Sequence, residues 1–223
     1  MPVGSSRLGF IIRLIGLSLL LPLLPGQAGD SPASSSAVIR HELRVSIDPE
    51  RHQLTAIDRM VVRVGDALHP LEFSLGKMLR PDMVARVTQV GAEERLIPVS
   101  IVPGDSVSDS HLQSLRLSLP DHQREEVTLE WRYRGAIEDP PREPRHLRFV
   151  TPSETAGHIG SEGVYLSSET GWYPDLDGSL ASYSLAVEVP GEWTAVSQGR
   201  VGTKEDCTKP RSDGACRTVQ TWE

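Results

Sequence analysis

The sequence predicts an all-β fold, a multi-stranded and mostly antiparallel sandwich. Three stretches carry this prediction, because apolar and polar residues alternate strictly along 39–47, 127–134 and 183–189. A period of two residues is typical of strands that bury one face. Turn residues separate such stretches along the chain, and no helical periodicity of any length follows the first 28 residues. Recurring strands without helices favour the all-β class.

The first 28 residues have the pattern of a secretory signal peptide. Arg7 and Arg13 form a positive segment, residues 15–24 are mostly apolar, and small residues precede a cleavage point after Ala28. This order is typical of signal peptides. The apolar run is too short for a transmembrane helix, which needs about 20 residues. We therefore expect cleavage and export to the periplasm or the medium; a retained interfacial anchor is the alternative.

After the signal segment, the sequence predicts a flexible linker at 29–37 and one β-domain at 38–223, apparently truncated at its C-terminal end. The chain has a formal net charge of −7. Removal of Arg7 and Arg13 with the signal segment changes that charge to −9. An acidic surface argues against nucleic acid and anionic membranes as partners.

The strands of the β-domain are predicted from alternation and from the turn residues that bound them. The first, 39–47, ends at an Asp-Pro turn, and Pro190 ends another, because proline cannot donate to a ladder. Residues 91–94 predict a hairpin turn. After Gly191, residues 193–198 are expected to return as a strand that ends at Gly199. The other predicted strands are 54–64, 68–75, 83–90, 95–102, 112–119, 127–134, 183–189 and one that begins at Arg217.

Several segments resemble the N-terminal β-domain of the M1 zinc aminopeptidases, in particular exported bacterial members. The run from Gly163 to Gly199 carries a short Tyr-Leu strand, a Trp-Tyr-Pro segment, a strand that ends in Val-Pro, and Trp-Thr-Ala-Val-Ser-Gln-Gly. The opening text HELRVSIDPERHQLTAIDRMVV, the LEFSL of 71–75 and the Tyr-Arg-Gly of 133–135 are similar to the same domain. The resemblance implies a saddle-like domain that packs on a catalytic domain in cis.

The zinc chemistry of that family is missing from this chain. Its signature is His-Glu-x-x-His on a helix, which chelates zinc with two imidazoles and activates water with the glutamate. Here His41-Glu42 is followed by Val45 instead of a second histidine, and the residues lie in a predicted strand. The other histidines are expected on the surface: His52, His69, His111, His122, His146 and His158. We expect no cofactor in this chain, with zinc only in the missing catalytic domain.

Glu169 and the segment from Asp175 to Gly178 are acidic, and each has a functional and a purely structural interpretation. The resemblance implies that Glu169 holds the free α-amine of a peptide substrate, because the family places a Gln or Glu near this position; the alternative is a solvated loop residue. The segment from Asp175 to Gly178 resembles the start of a calcium-binding loop. The twelfth position counted from Asp175 is Ala186, however, rather than a bidentate glutamate. A simple turn is therefore favoured there.

The chain has two cysteines, Cys207 and Cys216, separated by a polar segment. In an exported protein such a pair predicts a disulfide. A metal site is the weaker interpretation, because two cysteines without a nearby histidine cannot complete a tetrahedral zinc site.

The sequence thus predicts a non-catalytic N-terminal β-domain of an exported M1-type metallopeptidase, which contacts the substrate N-terminus. The alternative is a free-standing exported β-sandwich that binds a protein or a glycan. If the domain is truncated, the strand that ends at residues 221–223 is expected to present an unpaired edge.

Overall fold

The computed structural model describes residues 36–65, 70–104, 110–119, 126–139, 155, 157–205 and 217–223. Within these ranges the only helical element is a 3₁₀ turn, Ser168–Thr170. The strands are β1 (Ala37–Asp48), β2 (Gln53–Arg63), β3 (Leu71–Gly76), β4 (Leu79–Val90), β5 (Glu93–Pro98), β6 (Ile101–Pro103), β7 (Leu112–Leu117), β8 (Glu126–Ala136), β9 (Gly157–Gly160), β10 (Gly163–Leu166), β11 (Asp175–Leu176), β12 (Ser182–Pro190), β13 (Val201–Glu205) and β14 (Arg217–Trp222). No helix in the described part of the chain is long and apolar enough to cross a membrane.

Eight strands form the larger sheet, in the order β13-β14-β12-β1-β2-β8-β4-β5. Neighbouring strands are antiparallel, except that β1 and β12 run parallel with Leu43 opposite Leu185. Antiparallel strands such as β1 and β2 need only a short turn, whereas a parallel pair needs a long crossover. All the strands from β2 to β11 lie within that crossover.

A four-stranded sheet, in the order β11-β3-β7-β6, packs against the larger one, and β9 and β10 form a separate hairpin. Phe73 of β3 meets Trp131 of β8 edge to face, with ring centroids 5.0 Å apart, and both side chains are fully buried. Burial of one such large apolar side chain stabilises the fold by about 1.5–3 kcal/mol. The predicted all-β, mostly antiparallel sandwich is therefore confirmed.

The hairpin predicted around residues 91–94 is also confirmed. Val90 of β4 lies opposite Glu93 of β5, so the turn contains two residues, and Gly91 adopts a φ of 68°. A left-handed φ at this place favours glycine. The predicted strand 95–102 is divided, however, because β5 ends at Pro98 and β6 joins the smaller sheet.

The strand predicted at 193–198 is wrong. β12 already has β1 on one edge and β14 on the other, so no edge of β12 remains for these residues. Burial still alternates along the segment, since Trp193, Ala195 and Ser197 are half-buried while Thr194 and Val196 are exposed. The segment therefore keeps the alternation of a strand, but it has no partner strand among the described residues.

The unpaired edge expected at residues 221–223 is wrong as well. β14 lies between β12 and β13, with Thr221 opposite Ala186 and Trp222 opposite Val201. Beyond β14, Glu223 and Arg200 exchange two backbone hydrogen bonds of 2.7 and 2.9 Å. Both edges of β14 are therefore occupied.

The signal peptide predicted at 1–28 and the disulfide predicted between Cys207 and Cys216 lie outside the described residues, as does most of the linker predicted at 29–37. They stay predictions. β1 already includes Ala37, the last residue of that linker.

Candidate functional site

The segment from β9 to Tyr173 comprises a hairpin, a 3₁₀ turn and two aromatic residues. β9 and β10 pair around a two-residue turn, and the 3₁₀ turn follows directly. Gly171 ends the 3₁₀ turn in the left-handed conformation with a φ of 62°. Its carbonyl accepts a hydrogen bond of 2.8 Å from the backbone N–H of Gly76 in β3. The next two residues, Trp172 and Tyr173, are half-buried and pack against the core.

Glu169 lies on the 3₁₀ turn and is exposed. Its backbone carbonyl accepts a hydrogen bond from Nε2 of His111, which anchors the turn to the start of β7. No ion pair engages its carboxylate among the described residues, so that the group faces solvent. A free carboxylate on an anchored turn is chemically suited to bind an ammonium group.

A buried polar pair supports the aromatic segment from below. Nδ1 of His41 lies 2.7 Å from Oδ2 of Asp58, and the two side chains are 4% and 0% exposed. The His41 ring meets Tyr173 edge to face at 5.3 Å, and Tyr173 meets Trp172 at 4.8 Å. The pair on β1 and β2 therefore packs against Tyr173, which in turn packs against Trp172.

The surroundings of this pair are buried and contain further titratable groups. Burial raises the pKa of Asp58 above its usual value, and burial also raises the pKa of Asp175 nearby. Burial, followed by the charge of Asp58, raises the pKa of Tyr133 well above its ordinary value. Within the described residues, Nε2 of His41, Oδ1 of Asp58 and the Tyr133 hydroxyl lack a hydrogen-bond partner. The pair is enclosed in the core, where the His41 ring contacts Tyr173.

The alternation pattern in the sequence already indicates that His41 and Asp58 form a buried pair. His41 occupies an inward position of β1, and Asp58 occupies an inward position of β2 between Ala56 and Met60. A polar residue on the apolar side of an alternating strand needs a buried partner. When two such residues lie on adjacent predicted strands, each is the expected hydrogen-bond partner of the other.

A groove of about 570 Å³ opens beside the aromatic segment. Its floor is the apolar face of β1 and β12, and its walls are β10 with Trp172 on one side and residues 192–197 on the other. The floor residues are Val45, Ile47, Leu185, Val187 and Val189. Two charged residues line the groove, Glu162 and Glu192. Glu169 is not among the lining residues.

The expectation that the remaining histidines are solvated is wrong for His158. This residue is 6% exposed, and its Nε2 lies 2.7 Å from Oε1 of Glu162. His52 is half-buried and its Nδ1 lies 2.5 Å from the carbonyl oxygen of Ile159, whereas His111 is exposed. His69, His122 and His146 lie outside the described residues.

The acidic segment at 175–178 forms a turn. Asp175 and Leu176 make the short strand β11, the backbone N–H of Ser179 donates to the carbonyl of Leu176 at 3.1 Å, and Gly178 has a φ of 74°. The favoured interpretation as a turn is confirmed. Within the described ranges, no group of three or more His, Cys, Asp or Glu side chains is arranged to hold a metal ion.

No protein-family model and no curated protein sequence matches this chain. Its fold matches solved structures. A two-domain M1 zinc metallopeptidase mutant bound to L-tryptophan gives a TM-score of 0.53 at 16% identity, over 85% of this chain and 40% of that chain. A mutant M1 zinc metallopeptidase from Deinococcus radiodurans bound to a Tyr-Ser-Ala substrate gives 0.51 at 17%, over 84% and 39%.

A third structure, a two-domain M1 zinc metallopeptidase mutant bound to L-arginine, gives a TM-score of 0.50 at 17% identity, over 86% of this chain and 40% of that chain. This chain therefore has the fold of one part of the M1 zinc metallopeptidases and spans about 40% of the length of these relatives. The expected fold resemblance is confirmed.

Proposed function

We propose that this chain is the non-catalytic N-terminal β-domain of an exported M1-type zinc metallopeptidase. In this proposal the domain packs on a catalytic domain in cis and walls one side of the peptide cleft. The observation that carries the proposal is the coverage of the fold match, which includes 85% of this chain but 40% of the solved enzyme. Because the chain matches the fold of only part of these enzymes, we infer that it serves as one domain of such an enzyme. The signal-peptide pattern supports export.

The described residues do not fit a zinc site of their own. The best candidate ligand, His41, is buried in a strand against Asp58, and no third donor completes a site. A catalytic zinc ion needs three protein ligands and an open position for water. The proposal therefore assigns zinc to the catalytic domain, and this domain supplies walls and contacts only.

Glu169 is the residue we assign to the substrate. Its carboxylate is exposed on an anchored turn, and a peptide with a free N-terminus presents an ammonium group. A hydrogen bond between two charged groups contributes about 1.5–3 kcal/mol, which corresponds to roughly ten- to hundredfold in kcat/KM. The turn is held by His111, which donates to the carbonyl of Glu169, and by the hydrogen bond between Gly76 and Gly171.

The experiment compares Glu169→Ala with the parent in the exported protein that carries both this domain and its catalytic domain. For peptides with a free N-terminus, kcat/KM should fall roughly ten- to hundredfold. For N-acetylated peptides, which lack the ammonium group, kcat/KM should be the same for Glu169→Ala and the parent. Glu205→Ala, at an exposed position of β13, is the matched control and should match the parent.

Two results would count against the proposal in different ways. Equal kinetics of Glu169→Ala and the parent on both peptide types would make Glu169 a solvated loop residue. An exported protein that contains this domain but hydrolyses no aminoacyl substrate would remove the metallopeptidase assignment and favour the free-standing binding sandwich.

A further inference from the structure

We propose that the groove between β10 and residues 192–197 binds an extended, positively charged peptide segment, which pairs with the backbone of residues 194–197. The inference goes beyond the function proposed above and does not depend on it, because every residue that carries it lies in this chain. Residues 193–198 alternate like a strand but pair with no strand in the described part of the chain.

Residues 193–198 are held at both ends and open between them. The backbone N–H of Trp193 donates to the carbonyl of Pro190 at 2.9 Å, and the Tyr183 hydroxyl donates to the carbonyl of Gln198 at 2.5 Å. Between these anchors, the backbone groups of residues 194–197 make no hydrogen bond to any described residue. An extended segment with unpaired backbone groups is a template for an added strand.

The opposite wall is β10. Val164 and Leu166 of this strand line the groove. The two residues are two positions apart and therefore lie on one face of the strand, so this wall presents apolar side chains to the peptide. Each wall is about four residues long, or roughly 13 Å, which matches a short extended peptide.

The floor and rim define the chemistry of the occupant. The floor is apolar, so alternate side chains of the peptide should be apolar where they face Val187 and its neighbours. The charged lining residues, Glu162 and Glu192, are carboxylates, and that of Glu162 also contacts Nε2 of His158 at 2.7 Å. The negative charge of the lining favours Lys or Arg in the peptide. The volume of about 570 Å³ falls in the range of about 300–1,000 Å³ that is typical of ligand sites.

The test titrates the full chain with a capped hexapeptide that has Lys at each end and alternating Val and Thr between. Trp172 and Trp193 line the groove, so tryptophan fluorescence reports binding directly. We expect saturable binding. A peptide N-methylated at alternate residues lacks the donors for strand pairing and should bind at least about tenfold more weakly, as should the same peptide with Glu at each end.

Two matched variants place the site. Val196 is 90% exposed and lines the groove, whereas Val201 on β13 is 59% exposed and lies outside it. Val196→Lys introduces a like charge and should weaken binding about tenfold, while Val201→Lys should bind as the parent does. Trp193→Ala, with its fold checked by far-UV circular dichroism, should also lose about tenfold or more.

Three results would overturn the inference. One is no saturable binding of the Lys-ended peptide. Another is binding that Val196→Lys and Val201→Lys change equally. A third is self-association of the chain, measured by sedimentation, that Val196→Lys abolishes, because the occupant would then be a second copy.

Discussion

Breaking the buried pair of His41 and Asp58 should destabilise the domain strongly, whereas replacing both residues should not. The two side chains are enclosed and 2.7 Å apart. Removal of one partner leaves the other buried without compensation, which costs about 3–5 kcal/mol. Replacement of both by apolar residues of similar volume removes the cost of burying two polar groups and is neutral or stabilising by about 1–4 kcal/mol.

The variants are His41→Leu, Asp58→Val and the double variant, each unfolded in urea at pH 7. We expect each single variant to lose about 3–5 kcal/mol and the double variant to recover most of that loss. A surface control is Glu42→Gln, which removes the exposed partner of Arg40 and should cost under about 1 kcal/mol. Unfolding should be two-state, with similar slopes for all variants.

The pH dependence adds a second readout. Burial raises the pKa of Asp58 above its ordinary value of 3.8, so the folded protein holds this proton to a higher pH than the unfolded chain does. The contribution of Asp58 to stability is full below pH 3.8 and is lost as the pH rises through the folded pKa. Asp58→Val should therefore abolish a decrease in stability above pH 3.8. The reasoning fails if the two single losses simply add in the double variant, or if the pH profile is unchanged.

Three further predictions concern other parts of the domain. The side chain of Glu130 is 2% exposed between two guanidinium groups; burial opposes ionisation, but hydrogen bonds from Arg59 and Arg132 outweigh it and lower the pKa. Glu130→Gln should lower the free energy of unfolding by about 1.5–3 kcal/mol at pH 7, measured by urea unfolding. This difference should vanish as the pH falls through the folded pKa of Glu130, which lies below 4.5. A difference that does not change with pH would contradict the reasoning. Gly171→Ala should lower the melting temperature, because a left-handed φ costs about 1–2 kcal/mol and the new Cβ would lie 2.9 Å from the backbone of Gly76; an unchanged melting temperature would contradict this. The exported protein should lose two hydrogens in mass relative to its reduced form through the predicted cysteine bond, and two alkylatable thiols would refute it.

The strands of the sandwich were predictable because alternation records which face is buried. β1, β2, β8 and β12 match the predicted stretches to within a few residues. Pairing was harder, because a strand pattern does not name its partner. Residues 193–198 have the alternation of a strand, but β1 and β14 already occupy both edges of β12. A parallel pair between β1 and β12, far apart in the chain, leaves no local trace in the sequence.

The candidate site was predictable in part. The aromatic segment and Glu169 were identified from the resemblance, and the structure places Glu169 on an exposed turn. Asp58, the buried partner of His41, was not predicted, because His41 was considered only as a metal ligand. β9 was missed too, since its four residues Gly157–Gly160 carry no alternation and are all buried. The groove depends on how two distant segments meet, which composition and periodicity cannot show.

The central claim is that this chain is one domain of a larger zinc enzyme. The most direct measurement is to isolate the native exported protein with an antibody against the described domain and to determine its mass and zinc content. We expect a polypeptide at least about twice the 24.4 kDa of this chain, with about one zinc ion per polypeptide. A native protein of the size of this chain, or a larger one without zinc, would contradict the central claim.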